Sequence, residues 1–148
     1  MKNFYEAMDI DCSRAIKVTA GWKHIVAPNQ TFRVRAHLND RLIFDDFAKD
    51  ALFQAELPLL ENIKVRIELS GKDPNRIEPG TDLALLVFLS INGFSVLPEH
   101  QELSFYMSDS EEVISPTHYL GYNGVWTFDI DEPFYRWLHK TQPWGFTL

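Results

Sequence analysis

The sequence predicts an all-β fold, an antiparallel β-sandwich that is jelly-roll-like and carries one short helix near the C-terminus. Apolar and polar residues alternate along several short segments, which is the pattern of strands that bury one face and expose the other. Turn dipeptides separate these segments at the short spacing that is typical of sandwiches and barrels. The 148 residues, of which 45% are hydrophobic, suit a single globular domain.

Three segments of the first half alternate in this way: residues 14–20, 31–38 and 63–69. Each predicts a strand with one inward face and one outward face. The dipeptide Asn39-Asp40 follows the second segment and predicts a tight hairpin into residues 41–44.

The second half contains a strand of a different kind. Residues 83–89 are apolar at every position, so they predict a central strand that is covered on both faces. Asn92-Gly93 predicts a type I′ hairpin into residues 94–97, because both central residues of that turn need a positive φ. Four further segments predict strands: 52–57, 103–107, 125–130 and 144–148.

The helix follows Pro133, which is tolerated in a first helical turn. Phe134, Trp137 and Leu138 share one helical face and are expected to dock the helix onto the sandwich. The chain shows no linker composition. We therefore expect an N-terminal arm over residues 1–13 and one sandwich domain over residues 14–148.

Aromatic residues are abundant, with eleven Phe, five Tyr and four Trp, and they crowd toward the C-terminal end. Trp126 and Phe128 share one face of a predicted strand and are expected in the core. Tyr119 and Tyr122 fall in a glycine-containing loop, and Trp144 lies near the C-terminal end of the sequence. Tyr and Trp combine a large contact area with a polar group, so these three are the candidate binding residues.

The formal net charge of −7 makes nucleic acid a poor partner, because phosphate groups would be repelled. The single cysteine, Cys12, excludes an intrachain disulfide framework and a cysteine-cluster zinc site. No secretion signal is visible, and no apolar run is long enough to span a membrane. The expected location is the cytoplasm or an assembled virion.

No nucleophile elbow, metalloprotease helix or phosphate-binding loop is present, so the sequence predicts no enzyme. The only candidate metal site is an acidic loop that contains Asp73, Glu78 and Asp82. Calcium prefers several oxygen ligands of this kind. The alternative interpretation is a solvated polar loop between strands, and no other cofactor is predicted.

The order of these motifs supports a resemblance to known families. Five segments carry it: residues 32–35, 38–43, 63–69, 81–83 and 91–94. They resemble the β-sandwich of carbohydrate-binding modules, and they are also similar to small β-sandwich accessory proteins of phage particles. The first resemblance implies a ligand role for Asp82 and Asp73. The second implies subunit contacts through a terminal arm and the aromatic C-terminal segment.

Three functions remain open. The leading hypothesis is a non-catalytic interaction protein, a structural or accessory subunit of a larger assembly such as a phage virion. It would bind protein neighbours or further copies of itself through aromatic and edge-strand surface. The second is a carbohydrate-binding module with a calcium-stabilised acidic loop. The third is a small acidic inhibitor of a host protein.

Overall fold

The predicted antiparallel β-sandwich is confirmed. The computed structural model describes residues 15–25, 32–58, 60–71 and 84–141, and in them it contains eleven strands and one α-helix. The first six strands are β1 (Ala15–Ile25), β2 (Arg33–Leu38), β3 (Arg41–Phe47), β4 (Ala51–Pro58), β5 (Ile63–Ser70) and β6 (Ala84–Ile91). The others are β7 (Phe94–Leu97), β8 (Ser104–Ser108), β9 (Val113–Ile114), β10 (Tyr119–Leu120) and β11 (Gly124–Ile130). The helix α1 spans Phe134–Thr141.

Two antiparallel sheets form the layers of the sandwich. The first sheet has the order β10-β6-β1-β4, and β7 pairs with another part of β6. The second has the order β3-β2-β5-β11-β8-β9. The chain crosses repeatedly from one sheet to the other, so most neighbouring strands are distant in sequence. In this arrangement β3 and β4 are the outermost strands on the same side of the sandwich.

The core lies between the two sheets, where the alternating patterns meet. Inward residues of β2 and β5 are buried at every second position, and their outward neighbours are exposed or half-buried. Trp126 and Phe128 on β11 are completely buried, as predicted. Burial of large apolar side chains of this kind stabilises a domain by about 1.5–3 kcal/mol each.

The prediction that β6 is covered on both faces is wrong for the outward side. Phe88 is 36% exposed and Leu86 is half-buried, whereas Leu85, Val87 and Leu89 are buried. The strand is central within its sheet. In the described part of the chain no third layer covers the outer face, so these apolar residues contact solvent.

Two of the predicted hairpin turns are held by the same kind of hydrogen-bond pair, which the local sequence patterns do not reveal. Asn39 and Asn92 each have φ of 49°, and each side chain continues the hydrogen-bond ladder of a neighbouring strand. The N–H of Asn39 donates to the carbonyl of Lys64 at 2.8 Å, and the N–H of Lys64 donates to Oδ1 of Asn39 at 2.7 Å. Asn92 makes the same pair of bonds with Lys17, at 2.9 and 2.7 Å. Each turn is therefore attached to a strand outside its own hairpin.

The helix docks as predicted, with Phe134 and Trp137 buried and Leu138 half-buried. Its neighbourhood differs from the prediction in detail. Leu103 ends a 3-10 turn, and the strand begins one residue later. Tyr119 lies on the short strand β10 rather than in a loop. The predicted arm over residues 1–13 and the predicted strand over 144–148 lie outside the described residues.

Candidate binding site at the open side of the sandwich

A cleft opens between the two sheets where the outermost strands β3 and β4 face each other. Its volume is about 570 Å³. The floor is apolar and is formed by inward side chains of several strands: Val18, Ala20, Leu38, Ile43, Phe53, Ala55 and Leu57. The rim is polar and includes Asn39, Arg41, Gln54, Glu56 and Glu61.

The cleft exists because neither outermost strand is fully covered. The inward residues of β4, Ala51, Phe53, Ala55 and Leu57, are all half-buried. No residue of β3 is fully buried. The pairing of β3 with β2 shifts register beside Ala36, which leaves an extra residue on β3. Such a bulge bends and twists a strand, and its extra residue is Ile43, which lines the cleft.

Two aromatic rings pack around Phe53, which lines the cleft. The ring of Trp22 lies 5.1 Å from that of Phe44 and 5.4 Å from that of Phe53. The indole N–H of Trp22 donates to the carbonyl of Lys49 at 2.8 Å, which fixes the linker between β3 and β4. Edge-to-face packing of this kind adds about 0.5–1.5 kcal/mol per pair to area burial.

A polar cluster lies on the rim of the cleft. The side-chain amide of Asn39 donates to Glu61 Oε1 at 3.1 Å and to the carbonyl of Asn62 at 2.8 Å. The turn that contains Asn39 follows β2, and these bonds attach it to the two residues before β5. Hydrogen bonds therefore hold this part of the rim.

The two outermost strands differ in how they meet solvent. The edge of β3 carries charges that are already paired: Asp45 accepts from Arg33 at 3.2 Å and from Arg35 at 3.4 Å. The backbone N–H of Phe47 and the ammonium of Lys49 hold the pKa of Asp46 below its usual value. Charges and bulges are features that discourage a sheet edge from pairing with another chain.

The edge of β4 carries a single charge and no bulge. It pairs with β1 in unbroken register from Ala15 opposite Pro58 to Trp22 opposite Ala51. Among the described residues its other edge pairs with no strand. Its only charged residue is Glu56, and the outward Leu52 is 63% exposed. A regular strand of eight residues therefore leaves backbone donors and acceptors unpaired beside an apolar cleft.

A second surface lies on the outer face of the first sheet. Leu52 on β4 and Phe88 on β6 flank Gly21 on β1 in one row. A Cβ atom at Gly21 would lie 2.8 Å from Cζ of Phe88, so the phenyl ring lies across the glycine. The next residue along this face of β6, Leu86, is paired with Tyr119 on β10.

The predicted binding and metal-site residues lie in different parts of the chain. Tyr119 is half-buried on this outer face, and Tyr122 is 58% exposed in the loop between β10 and β11. Trp144 and the predicted calcium ligands Asp73, Glu78 and Asp82 lie outside the described residues. Within the described ranges, no three His, Cys, Asp or Glu side chains are grouped so that they could hold a metal ion.

Sequence reasoning did not predict the cleft. Its one local signal was the segment Ala51–Pro58, which is apolar at Leu52 as well as on its inward face and contains no basic residue. That pattern predicts a strand, but the position of the strand in the sheet depends on which other strands pair with it.

No family model matches this chain, and no curated protein matches it. Two solved structures of the carbohydrate-binding module vCBM60 are similar in fold. One is the selenomethionine form, from work on a circular permutation that links two families of calcium-dependent carbohydrate-binding modules. It is 15% identical to this chain, with a TM-score of 0.45. It covers 76% of this chain and 89% of its own. The complex with galactobiose is 11% identical, covers 77% of this chain and 99% of its own, and has a TM-score of 0.45.

This remote likeness agrees with the expected resemblance to carbohydrate-binding modules, and it assigns no ligand to this chain. The similarity to phage accessory proteins stays a prediction. No helix in the described ranges is both long enough and apolar enough to cross a membrane.

Proposed function

We propose that the chain is a non-catalytic binding protein that accepts an extended polypeptide segment at the free edge of β4. One observation carries this proposal: in the described ranges, a regular strand edge that pairs with no other strand lies beside an apolar cleft. The proposal thus names a binding surface, the edge of β4, for the interaction hypothesis drawn from the sequence.

Strand addition at β4 would use two kinds of contact. Backbone groups of the added segment would pair with the free N–H and C=O groups of β4, which supplies affinity. Alternate side chains of the segment would enter the cleft beside Phe53, Ala55 and Leu57, which supplies selectivity. The volume of about 570 Å³ lies within the range of about 300–1,000 Å³ that is usual for ligand pockets.

A segment that fits this site alternates apolar and polar residues and contains no proline among the paired positions. A protein of an assembled particle could supply it from a terminal arm. We therefore include in the proposal a structural or accessory role in a larger assembly such as a phage virion.

The test is a display selection of unstructured twelve-residue peptides against the full chain, followed by calorimetric titration of the selected peptides. We expect selected sequences to alternate in polarity. The variant Ala55→Trp, which fills the cleft, should lose binding by about tenfold or more. Thr127→Trp, on the outer face of the other sheet, is the matched control and should bind normally. Selection of no peptide, or equal binding by both variants, would contradict the proposal.

A second candidate function is glycan binding at the outer face of the first sheet. Phe88 lies across Gly21, and a polar row runs beside it through Gln54, Thr19 and Ser90. An exposed aromatic ring next to hydroxyl and amide groups suits a sugar, which has apolar C–H faces and polar edges.

The glycan proposal and the peptide proposal can be tested separately, because they use different surfaces. A glycan array should give signals that Phe88→Ala abolishes and Ala55→Trp leaves unchanged. Calcium in the acidic loop is part of this proposal, since Asp73, Glu78 and Asp82 are its predicted ligands. Added calcium should then raise the melting temperature, and Asp82→Asn should remove that increase. An array that is silent with and without calcium would exclude this function.

A further inference from the structure

We infer that the strand accepted by β4 is the β4 of a second copy of this chain, paired antiparallel over residues 53–57 about a two-fold axis at Ala55, so that Pro58 lies outside the paired positions. The inference rests on the proposed function, because it takes the free edge of β4 as the binding surface, and it names the partner. The two first sheets would join into one continuous sheet, which is a common way for an unprotected edge to be satisfied.

Register can be derived from side chains, because directly opposed residues of antiparallel strands share a face. A two-fold axis must therefore pass through a residue of β4. An axis at Glu56 would oppose that carboxylate to its own copy. An axis at Phe53 would oppose Asp50 to Glu56. Both arrangements place like charges together and are unfavourable.

Of the four axes near the centre of β4, at residues 53, 54, 55 and 56, two avoid opposed carboxylates, and their pairings differ in quality. An axis at Gln54 places Leu52 opposite Glu56 and Phe53 opposite Ala55. An axis at Ala55 places Phe53 opposite Leu57 and Gln54 opposite Glu56. The second register pairs apolar with apolar and polar with polar at each of these positions, so we assign it.

The interior contacts favour the same register. Phe53 and Leu57 are half-buried in the isolated chain and line the cleft. About the axis at Ala55, Phe53 of each copy meets Leu57 of the other, so these pairs occur twice. Pairing would remove this apolar surface from water, which is the main driving force for association.

Local charge does not oppose the contact, although the chain carries a net charge of −7. Glu56 is the only charged residue on β4, and Lys17 on β1 is directly opposite to it in the sheet. Repulsion between two copies is therefore mainly long-range and is screened by salt. Association should strengthen as the salt concentration rises.

The experiment measures the molar mass of the full chain by sedimentation equilibrium over a range of protein and salt concentrations. We expect a reversible species of twice the 17.2 kDa chain mass. Gln54 faces solvent and lies opposite Glu56 of the partner in the assigned register. Gln54→Lys should tighten the dimer by about fivefold, and Gln54→Glu should weaken it by about fivefold.

Controls place the same charges elsewhere. Ser70→Lys and Ser70→Glu, on the other sheet, should both leave the dissociation constant within about twofold of wild type. Weakening by both Gln54 variants would overturn the register, because it indicates an axis at Gln54. A dimer whose dissociation constant changes with neither Gln54 variant would show that β4 is not the dimer interface.

A chain that stays monomeric up to about 1 mM would overturn self-association altogether. That result would leave the peptide selection unaffected, because the peptide test detects a different occupant of the same edge. Failure of both experiments would overturn the proposed function as well.

Discussion

The hydroxyl of Tyr106 holds the backbone of Tyr122 from both sides. It donates to the carbonyl oxygen of Tyr122 and accepts from the N–H of the same residue at 2.9 Å. Tyr106 is fully buried on β8, whereas the side chain of Tyr122 is 58% exposed. A buried anchor thus fixes the backbone of a loop whose aromatic ring faces solvent.

Removal of that hydroxyl should destabilise the chain. Tyr106→Phe leaves two polar backbone groups of Tyr122 without their partner, and we expect a loss of about 1–3 kcal/mol in the free energy of unfolding. Urea denaturation measures this change. Tyr135→Phe is the control, because its hydroxyl accepts one hydrogen bond from the exposed Asn92. If the two variants lose equal stability, the anchoring role of Tyr106 is wrong.

The same residue predicts a decrease in stability at alkaline pH. Burial raises the pKa of Tyr106 to about 12, above its ordinary value of 10. The folded chain therefore retains this proton when the unfolded chain has released it. The stabilisation is complete below pH 10 and is lost as pH rises from 10 toward 12. Thermal melts across this range should show a steeper decrease for wild type than for Tyr106→Phe.

Gly21 should be intolerant of any side chain. A Cβ atom there would overlap the carbonyl oxygen of Ala51 and would also contact the Phe88 ring. We expect Gly21→Ala to cost about 3 kcal/mol or more. Gly93→Ala is the comparison, since its Cβ would meet nothing within 4 Å and only the φ of 83° is unfavourable. That change should cost about 1–2 kcal/mol, and a reversed order of melting temperatures would contradict the prediction.

Asn39 should contribute to the rim of the cleft through its side chain. Asn39→Ala removes bonds to Glu61, Asn62 and Lys64, and it places alanine at a φ of 49°. A loss of about 2–4 kcal/mol is expected, together with faster hydrogen exchange at the start of β5. Asn39→Gly separates the two causes, because glycine relieves the backbone term alone. Stability equal to wild type in the glycine variant would show that the side-chain bonds contribute nothing.

Local patterns identified the elements well, for reasons that particular residues show. Asn92-Gly93 and Asn39-Asp40 both form the tight turns expected, because positive φ at consecutive residues is a local requirement. Trp126 and Phe128 alternate with polar neighbours, and they are buried as that alternation predicts. Phe134 and Trp137 dock the helix in the same predictable way.

The candidate site was less predictable. The sequence predicts both Tyr119 and Tyr122 in one glycine-containing loop, yet Tyr119 lies on β10 and Tyr122 in the loop that follows. The importance of Tyr106 to that loop depends on a contact across sixteen residues. Phe88 belonged to a uniformly apolar segment, in which nothing distinguished a solvent-facing position from a buried one.

The sequence by itself determined most of the strands, although not the two-residue strands β9 and β10, together with the two tight turns, the helix and most of the residues that would be buried. These depend on periodicity and on backbone conformations within a few residues. Only the tertiary structure decided that, in the described part of the chain, β3 and β4 are both outermost, a cleft opens between them, and one edge of β4 pairs with no strand. The physical reason is that strand order arises from pairing between distant segments, such as β1 with β4 and β6, and alternation within a strand carries no information about its neighbours.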